Sequence, residues 1–385
     1  MQVYSARALR EGPVAMVGAL DFDQREHGIS PRRLPAWTRP QVPQNMDVMV
    51  RMPAGVRLAF VTDSPVVRLD VLTTAMVTPP RPPRPVAFDL VVDGDVRSLP
   101  ASGGNTIVLD PTDPLRFTLE RGDAYSVVFD NLGTTSKHCE LWLPHNAFVE
   151  IRALGIDDGA TLAAPPAPQT RWVHYGSSIS HCMEALSPTG TWPAVASMQA
   201  GVSLTGLGFG GQCHLDPFVA RTIRDLPVDL ISVKTGINVV NMDSMRERTF
   251  VPALHGFIDT IREARPDTPI VLTSPIFCPS AEDFPGPTVP DERGKFVTLR
   301  GHEAVQAGCL TLRRIREIIA GVVDTRRELG DRHIGYLDGL MLFSEADAGD
   351  LPDDLHPNPG GYRRMGERFA DLVFGPDGLA SELGI

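Results

Sequence analysis

Arg171-Trp172-Val173-His174-Tyr175-Gly176-Ser177-Ser178-Ile179-Ser180 is the stretch that decides the fold. Trp172 to Tyr175 is short and mostly apolar, as a strand buried on both faces should be. A glycine and a hydroxyl-rich turn follow, so Ser178 lies just past the strand. Further short apolar segments follow downstream, with no internal repeat. Ser203 to Leu207, Leu230 to Lys234, Ile270 to Ser274 and Ile334 to Leu337 are further candidate strands. Between them run helical patterns. Phe250 to Glu263 has apolar residues at Phe250, Leu254, Phe257, Ile258 and Ile261, which is helical spacing. Ala304 to Val323 reads similarly, and a last helix is predicted from about Pro359 to Val373. Strands alternating with helices predict an α/β unit, a doubly wound parallel sheet covered by helices.

Upstream of Arg171 the pattern is different. Val56 to Thr62, Val66 to Thr73, Val86 to Val92, Thr106 to Leu109, Arg116 to Glu120, Tyr125 to Phe129 and Cys139 to Leu143 are short apolar runs. Turn residues separate them, among them Asp93-Gly94-Asp95, Gly103-Gly104-Asn105 and Asp110-Pro111-Thr112-Asp113-Pro114. Short strands with turns at this spacing predict an antiparallel sandwich. Pro79-Pro80-Arg81-Pro82-Pro83-Arg84-Pro85 reads as an exposed loop. Leu162-Ala163-Ala164-Pro165-Pro166-Ala167-Pro168 is Ala/Pro-rich and unpatterned, the mark of a linker. The expected division is a sandwich over 1–161, a linker over 162–170 and the α/β domain over 171–385.

Composition narrows the partners. The 385 residues suffice for two domains, and 42% apolar with 22% charged residues is ordinary for a soluble protein. A net charge of -11 argues against nucleic acid, which needs a basic face. The five cysteines are odd in number and scattered, so no disulfide framework is expected and a cytoplasmic setting is. The stretch Val14 to Leu20 is too short to cross a membrane and is no signal peptide.

In an open parallel sheet, ligands bind beyond the carboxyl ends of the strands. Ser178, Gly211 and Asn238 follow the first, second and third predicted strands, so the sheet gathers them at one edge. The residues alone point to acyl transfer: a hydroxyl nucleophile, a base and an oxyanion pocket. Gly176-Ser177-Ser178-Ile179, Gly208-Phe209-Gly210-Gly211, Gly236-Ile237-Asn238 and Asp353-Asp354-Leu355-His356-Pro357, in that order, resemble the four blocks of the SGNH (GDSL-type) hydrolase superfamily. The likeness covers 171 to 373. The β-rich region ahead of it looks like the jelly-roll-like domain of one subgroup.

The resemblance implies a flavodoxin-like sheet and a set of roles. Ser178 is the nucleophile, His356 the general base and Asp353 the acid that orients it. The oxyanion hole is the N–H of Ser178, the N–H of Gly211 and the side chain of Asn238. The sequence departs from the family pattern at Ser177, where the name implies Asp, and leaves Ser177, Ser178 and Ser180 as rival hydroxyls. His181 and His214 lie close enough in sequence to Ser178 and Gly211 to line a substrate pocket. Cys278 to Pro290 is equally a rim segment or a solvated loop.

Plainer roles compete for the same residues. A lone serine after a strand is more often a cap or turn residue. Gly206-x-Gly208-x-x-Gly211 matches a dinucleotide fingerprint, but it sits on the second strand, and Asp216-Pro217 starts the next helix late. The pairs His138-Cys139, His181-Cys182 and Cys213-His214 have no recognised zinc spacing. No metal and no cofactor are therefore expected. The expected function is a serine esterase acting on a small acyl, for instance acetyl, ester of a sugar or other hydroxylated molecule. The rivals are an acyltransferase built on the same acyl-enzyme and an inactive glycan-binding module. A role for the sandwich, and a homo-oligomer, stay open.

Overall fold

Alternation of apolar and polar residues builds the N-terminal unit. Along Val67–Val77, Val67, Leu69, Val71 and Thr73 are buried while Arg68, Asp70 and Leu72 are less so. One face of the strand therefore points to a core and the other to water. The structure is a computed structural model that describes residues 1–385 except Thr112, Pro114 and Leu115, and except the side chain of Glu303. Thr112 and Pro114 of the predicted turn thus lie outside the described residues.

Two compact units divide the chain: Met1–Ala167 with Ala185–Gly190, and Pro168–Glu184 with Thr191–Ile385. The first unit holds two sheets. One has Phe117–Glu120, Asn105–Leu109, Val67–Val77, Ala147–Ile156, Ile29–Arg32 and Asp21–Gln24 in that order, with Gln2–Ser5 and Tyr125–Phe129 pairing alongside. The other runs Leu162–Ala163, Arg57–Thr62, Lys137–Trp142, Ala87–Val92, Asp95–Pro100. Among the described residues all the pairings of this unit are antiparallel but one, Val67–Val77 with Asn105–Leu109. Leu58, Phe60, Leu69, Val71, Phe88, Leu90, Leu141 and Ile151 fill the core between them. Each such side chain contributes about 1.5–3 kcal/mol by leaving water.

The sequence reading missed Ala147–Ile156, a ten-residue strand central to the larger sheet. Its alternation is legible up to Ile151, where the register shifts before Ala153 and breaks the pattern. At the head of the predicted linker, Leu162–Ala163 pairs with Arg57–Thr62. The inserted segment Ala185–Gly190 is fastened to this unit by Thr189, whose N–H and Oγ1 donate to the buried Asp89 carboxylate at 2.9 and 2.6 Å.

The second unit is a five-stranded parallel sheet: β1 Arg171–Gly176, β2 Ser203–Gly208, β3 Leu230–Lys234, β4 Ile270–Thr273 and β5 Ile334–Leu337, ordered β2-β1-β3-β4-β5. This is the flavodoxin-like order. Helices Trp192–Ala200 and Pro359–Phe369 pack together, as do Pro217–Asp225 and Glu247–Arg262. Right-handed crossovers put these two groups on opposite faces. The helix predicted at Ala304 starts instead at Leu312 and runs to Glu328. Gly308, at φ +75°, interrupts the chain, and the Thr311 side chain caps the true start by accepting from the Arg314 N–H. The helix predicted from Pro359 is α-helical to Phe369 and widens into a π turn over Ala370–Phe374, and a short α-helix, Leu379–Glu382, follows. Among the described residues no helix is long and apolar enough to cross a membrane.

Candidate active site

Three strand ends lie level with one another. In the sheet register Gly176 of β1 pairs with Gly208 of β2 and with Lys234 of β3. The loops carrying Ser178, Gly211 and Asn238 leave from these points. The close approach at Gly208 needs glycine: a Cβ there would sit 2.5 Å from the Ser180 carbonyl carbon and 2.7 Å from the His181 nitrogen.

The turn after β1 sorts its serines by position. Ser177 is fully buried and caps the turn, its Oγ accepting from the Ile179 N–H at 3.3 Å. Ser180 is buried, with Oγ 2.8 Å from His174 Nε2. Ser178 alone of the three is half-buried and turned to the base: its Oγ is 2.9 Å from His356 Nε2. The capping role weighed for a serine here thus falls to Ser177.

His174 also has two hydroxyl partners, since its Nδ1 lies 2.7 Å from Ser232 Oγ. It is completely buried, and burial, aided by the charge of Lys234, pushes its pKa down to about 3. A histidine so placed stays neutral and faces no solvent, so it braces the turn from beneath and has no route to a substrate.

The base turn is built by an Asp side chain. Asp353 Oδ1 accepts the N–H groups of Leu355 and His356 at 3.0 and 2.6 Å, which folds the turn. Its Oδ2 lies 2.7 Å from His356 Nδ1. A carboxylate there holds the proton on Nδ1, so Nε2 presents its lone pair to Ser178. Burial pulls the Asp353 pKa up, but the His356 ring and the two N–H groups outweigh it and hold the carboxyl below its usual range. Asp354 points elsewhere and pairs with Lys295 at 3.0 Å. Only Asp353 of the two acids serves the histidine.

Sequence reasoning missed what props this turn. Thr288–Pro290 and Phe296–Thr298 form a hairpin. Phe296 donates its N–H to the Asp353 carbonyl at 2.9 Å, and its ring meets His356 edge-on at 5.8 Å between centroids. Cys278 Sγ reaches the Asp354 carbonyl at 3.3 Å. Of the two readings of Cys278 to Pro290, a solvated loop fits poorly at its start. Cys278 is buried, and the buried Glu282 binds both the Cys278 N–H and Arg316.

The groups expected to face an oxyanion are also well defined. Asn238 is buried and its Oδ1 accepts the Cys213 N–H at 3.0 Å. An N–H can only donate, so the oxygen faces Cys213 and the amide hydrogens point away from it. Among the described residues the Asn238 Nδ2 and the N–H groups of Ser178 and Gly211 have no protein acceptor. Gly211 has φ +68°, a left-handed conformation suited to glycine.

The two histidines expected along the pocket differ. His181 is completely buried, so it has no surface to offer a ligand. His214 is half-buried, and both ring nitrogens are engaged: Nε2 lies 3.2 Å from the Gly211 carbonyl and Nδ1 3.0 Å from Ser244 Oγ. Among the described residues no three His, Cys, Asp or Glu side chains are gathered as a metal site requires. Burial pushes the Cys213 thiol up to about 12 and the Cys182 thiol well above its usual value. Both remain protonated and inert.

Comparison with known proteins bears on the fold and the family. Over 95% of both chains the protein is 28% identical to the salicylyl-acyltransferase SsfX3 from a tetracycline biosynthetic pathway, with a TM-score of 0.79. A GDSL-like lipase from Bacteroides ovatus matches at 20% identity over 96% of this chain and 95% of the other, with a TM-score of 0.66. A family two carbohydrate esterase from Clostridium thermocellum, solved with cellohexaose, matches at 14% over 93% and 97%, with a TM-score of 0.59. No curated protein matches the chain. The family model for the GDSL-like lipase/acylhydrolase family matches residues 174–364, a span from within β1 to beyond the Asp353–His356 turn. By sequence match, motif order and fold together, residues 174–364 form a domain of the GDSL-like lipase/acylhydrolase family.

Proposed function

We propose that the protein is a serine esterase working through an acyl-enzyme on Ser178. The observation that carries the reading is the unbroken chain Asp353–His356–Ser178, with links of 2.7 and 2.9 Å. His356 Nε2 takes the Ser178 proton as Oγ attacks the ester carbonyl. The carbonyl π electrons move to oxygen, and that oxyanion is held by the N–H groups of Ser178 and Gly211 and by Asn238. Asp353 stabilises the imidazolium. As the intermediate collapses, the alkoxide leaves with the proton from His356. A water, deprotonated by His356, then attacks the acyl-enzyme, and the acid departs as Ser178 recovers its proton. The substrate we infer is a small acyl ester, acetyl being the first to test, of a sugar or other hydroxylated molecule. Five free cysteines, four of them buried, support a reducing, cytoplasmic setting.

A second reading has its own support. The 28%-identical relative that spans nearly the whole chain is an acyltransferase. The acyl-enzyme would then pass to an alcohol or amine in place of water. The chemistry up to the acyl-enzyme is the same.

The experiment compares Ser178→Ala and Ser177→Ala on p-nitrophenyl acetate, with fluorophosphonate labelling of both. Ser178→Ala should lose turnover and labelling. Ser177→Ala loses only a cap, worth about 1 kcal/mol of stability, and should keep substantial activity. Near-normal turnover in Ser178→Ala refutes the nucleophile. Product analysis with added acceptor alcohols separates hydrolysis from transfer.

A further inference from the structure

Two of the three donors proposed for the oxyanion, Gly211 and Asn238, come from different elements. Gly211 lies in the loop after β2, and Asn238 in the short helix Ile237–Asn241 after β3. A hydrogen bond to a developing charge weakens steeply with misplacement, so the spacing between these elements matters. One bridge between them is the Cys213 N–H donated to Asn238 Oδ1. The other is the imidazole of His214.

A carbonyl only accepts, so His214 Nε2 carries a hydrogen and donates it to the Gly211 oxygen at 3.2 Å. In the neutral ring Nδ1 then accepts from Ser244 Oγ–H at 3.0 Å. Ser244 is itself tied to the Asn238 helix, its N–H donating to the Val239 carbonyl at 3.2 Å. The ring therefore spans from the Gly211 backbone to the end of the helix that carries Asn238. One tautomer satisfies both contacts. Gly211, without a Cβ and at φ +68°, has no side chain of its own to anchor it.

We infer that His214 is a positioning residue that sets the gap between the Gly211 and Asn238 donors, and does not bind the substrate. The inference rests on the acyl-enzyme reading. It assigns His214 to the oxyanion hole, where sequence proximity had suggested a pocket wall.

The test uses the full chain, p-nitrophenyl acetate turnover and the affinity of phenylboronic acid, which forms a tetrahedral anionic adduct on an active serine. Removing a donor outright costs about 10²–10³ in rate, so loosening one should cost less, about 10- to 100-fold in kcat for His214→Ala. KM should stay within about twofold, because a substrate in its ground state gains little from the hole. Phenylboronic acid affinity should fall by a factor like that in kcat. His214→Gln places an amide N–H near the Nε2 position and should recover most of both. His214→Phe keeps the ring volume without the donor, so it should fail like alanine; it also serves if the alanine variant does not fold. A rise in KM with kcat intact, or kcat and boronate affinity both within twofold of wild type, overturns the inference. Fluorophosphonate labelling of the wild type separates the cases. A labelled wild type with an indifferent His214→Ala sinks the positioning role alone, whereas an unlabelled, inactive wild type sinks the acyl-enzyme reading and this role with it.

Discussion

Asp353→Asn should inactivate the protein without unfolding it, and the reason lies in which oxygen does what. Asp353 Oδ1 accepts two backbone N–H groups, at 3.0 and 2.6 Å. Only an oxygen satisfies that position. In the amide the carbonyl oxygen must therefore stay there, and the NH2 must replace Oδ2, facing His356 Nδ1. An NH2 donates, so Nδ1 is forced to accept and the ring proton moves to Nε2. His356 then offers Ser178 a hydrogen where it formerly offered a lone pair, and cannot take the serine proton. Loss of the right tautomer in such a triad costs about 10⁴ in kcat, or about 5.5 kcal/mol at 1.36 kcal/mol per decade. The turn itself keeps both backbone hydrogen bonds, so the melting temperature should barely move. The assay is kcat/KM on p-nitrophenyl acetate, with thermal unfolding alongside. Asp354→Asn is the internal comparison: that acid binds Lys295 and not the histidine, so the variant should stay within a few-fold of wild type. If Asp353→Asn keeps a tenth or more of the activity, or if Asp354→Asn is as damaged, the assignment of acid to base is wrong.

Two further outcomes follow from the buried sheet beneath the site. His174 resists protonation until about pH 3, whereas an unfolded histidine takes up a proton near its ordinary pKa of 6.5. Between those values the unfolded state binds the extra proton, so stability should fall as pH drops through the window, by up to about 1.4 kcal/mol per pH unit from this group. Urea unfolding at several pH values checks it: His174→Gln should flatten that slope, and an unchanged slope would assign the effect to other groups. Gly208→Ala puts a methyl group 2.5 Å from the Ser180 backbone, which cannot yield as a flexible side chain would. It should lower both the unfolding midpoint and the turnover, and a variant with wild-type melting and kcat would show that the two loops do not pack as described.

Much of this protein could be read from its residues in order. Strand–helix alternation from Arg171 onward predicts a parallel sheet, and the five predicted strands lie within a residue or two of the observed ones. Ser178, Gly211, Asn238 and His356 stand out as candidates because each follows a strand or turn with a distinctive neighbour. Other features were hidden for physical reasons. Ala147–Ile156 has a bulge that breaks its alternation midway. The start of Leu312–Glu328 was blurred because the segment before it has helical composition but is interrupted at Gly308. The hairpin carrying Phe296 gives no local sign that it supports a turn nearly sixty residues later.

Local sequence by itself determined the fold of the second unit and the kinds of groups at its carboxyl edge, because hydrophobic periodicity and turn residues act over a few positions. Three serines within four residues, two adjacent aspartates and two candidate histidines were chemically equivalent at that level. Only the tertiary structure separated them. It buried Ser177 and Ser180 and turned Ser178 to His356, gave Asp353 to the imidazole and Asp354 to a lysine, buried His181 and spent both nitrogens of His214 on the backbone and Ser244. Direction and burial decide which hydroxyl meets a base, and both depend on contacts between residues far apart in the chain.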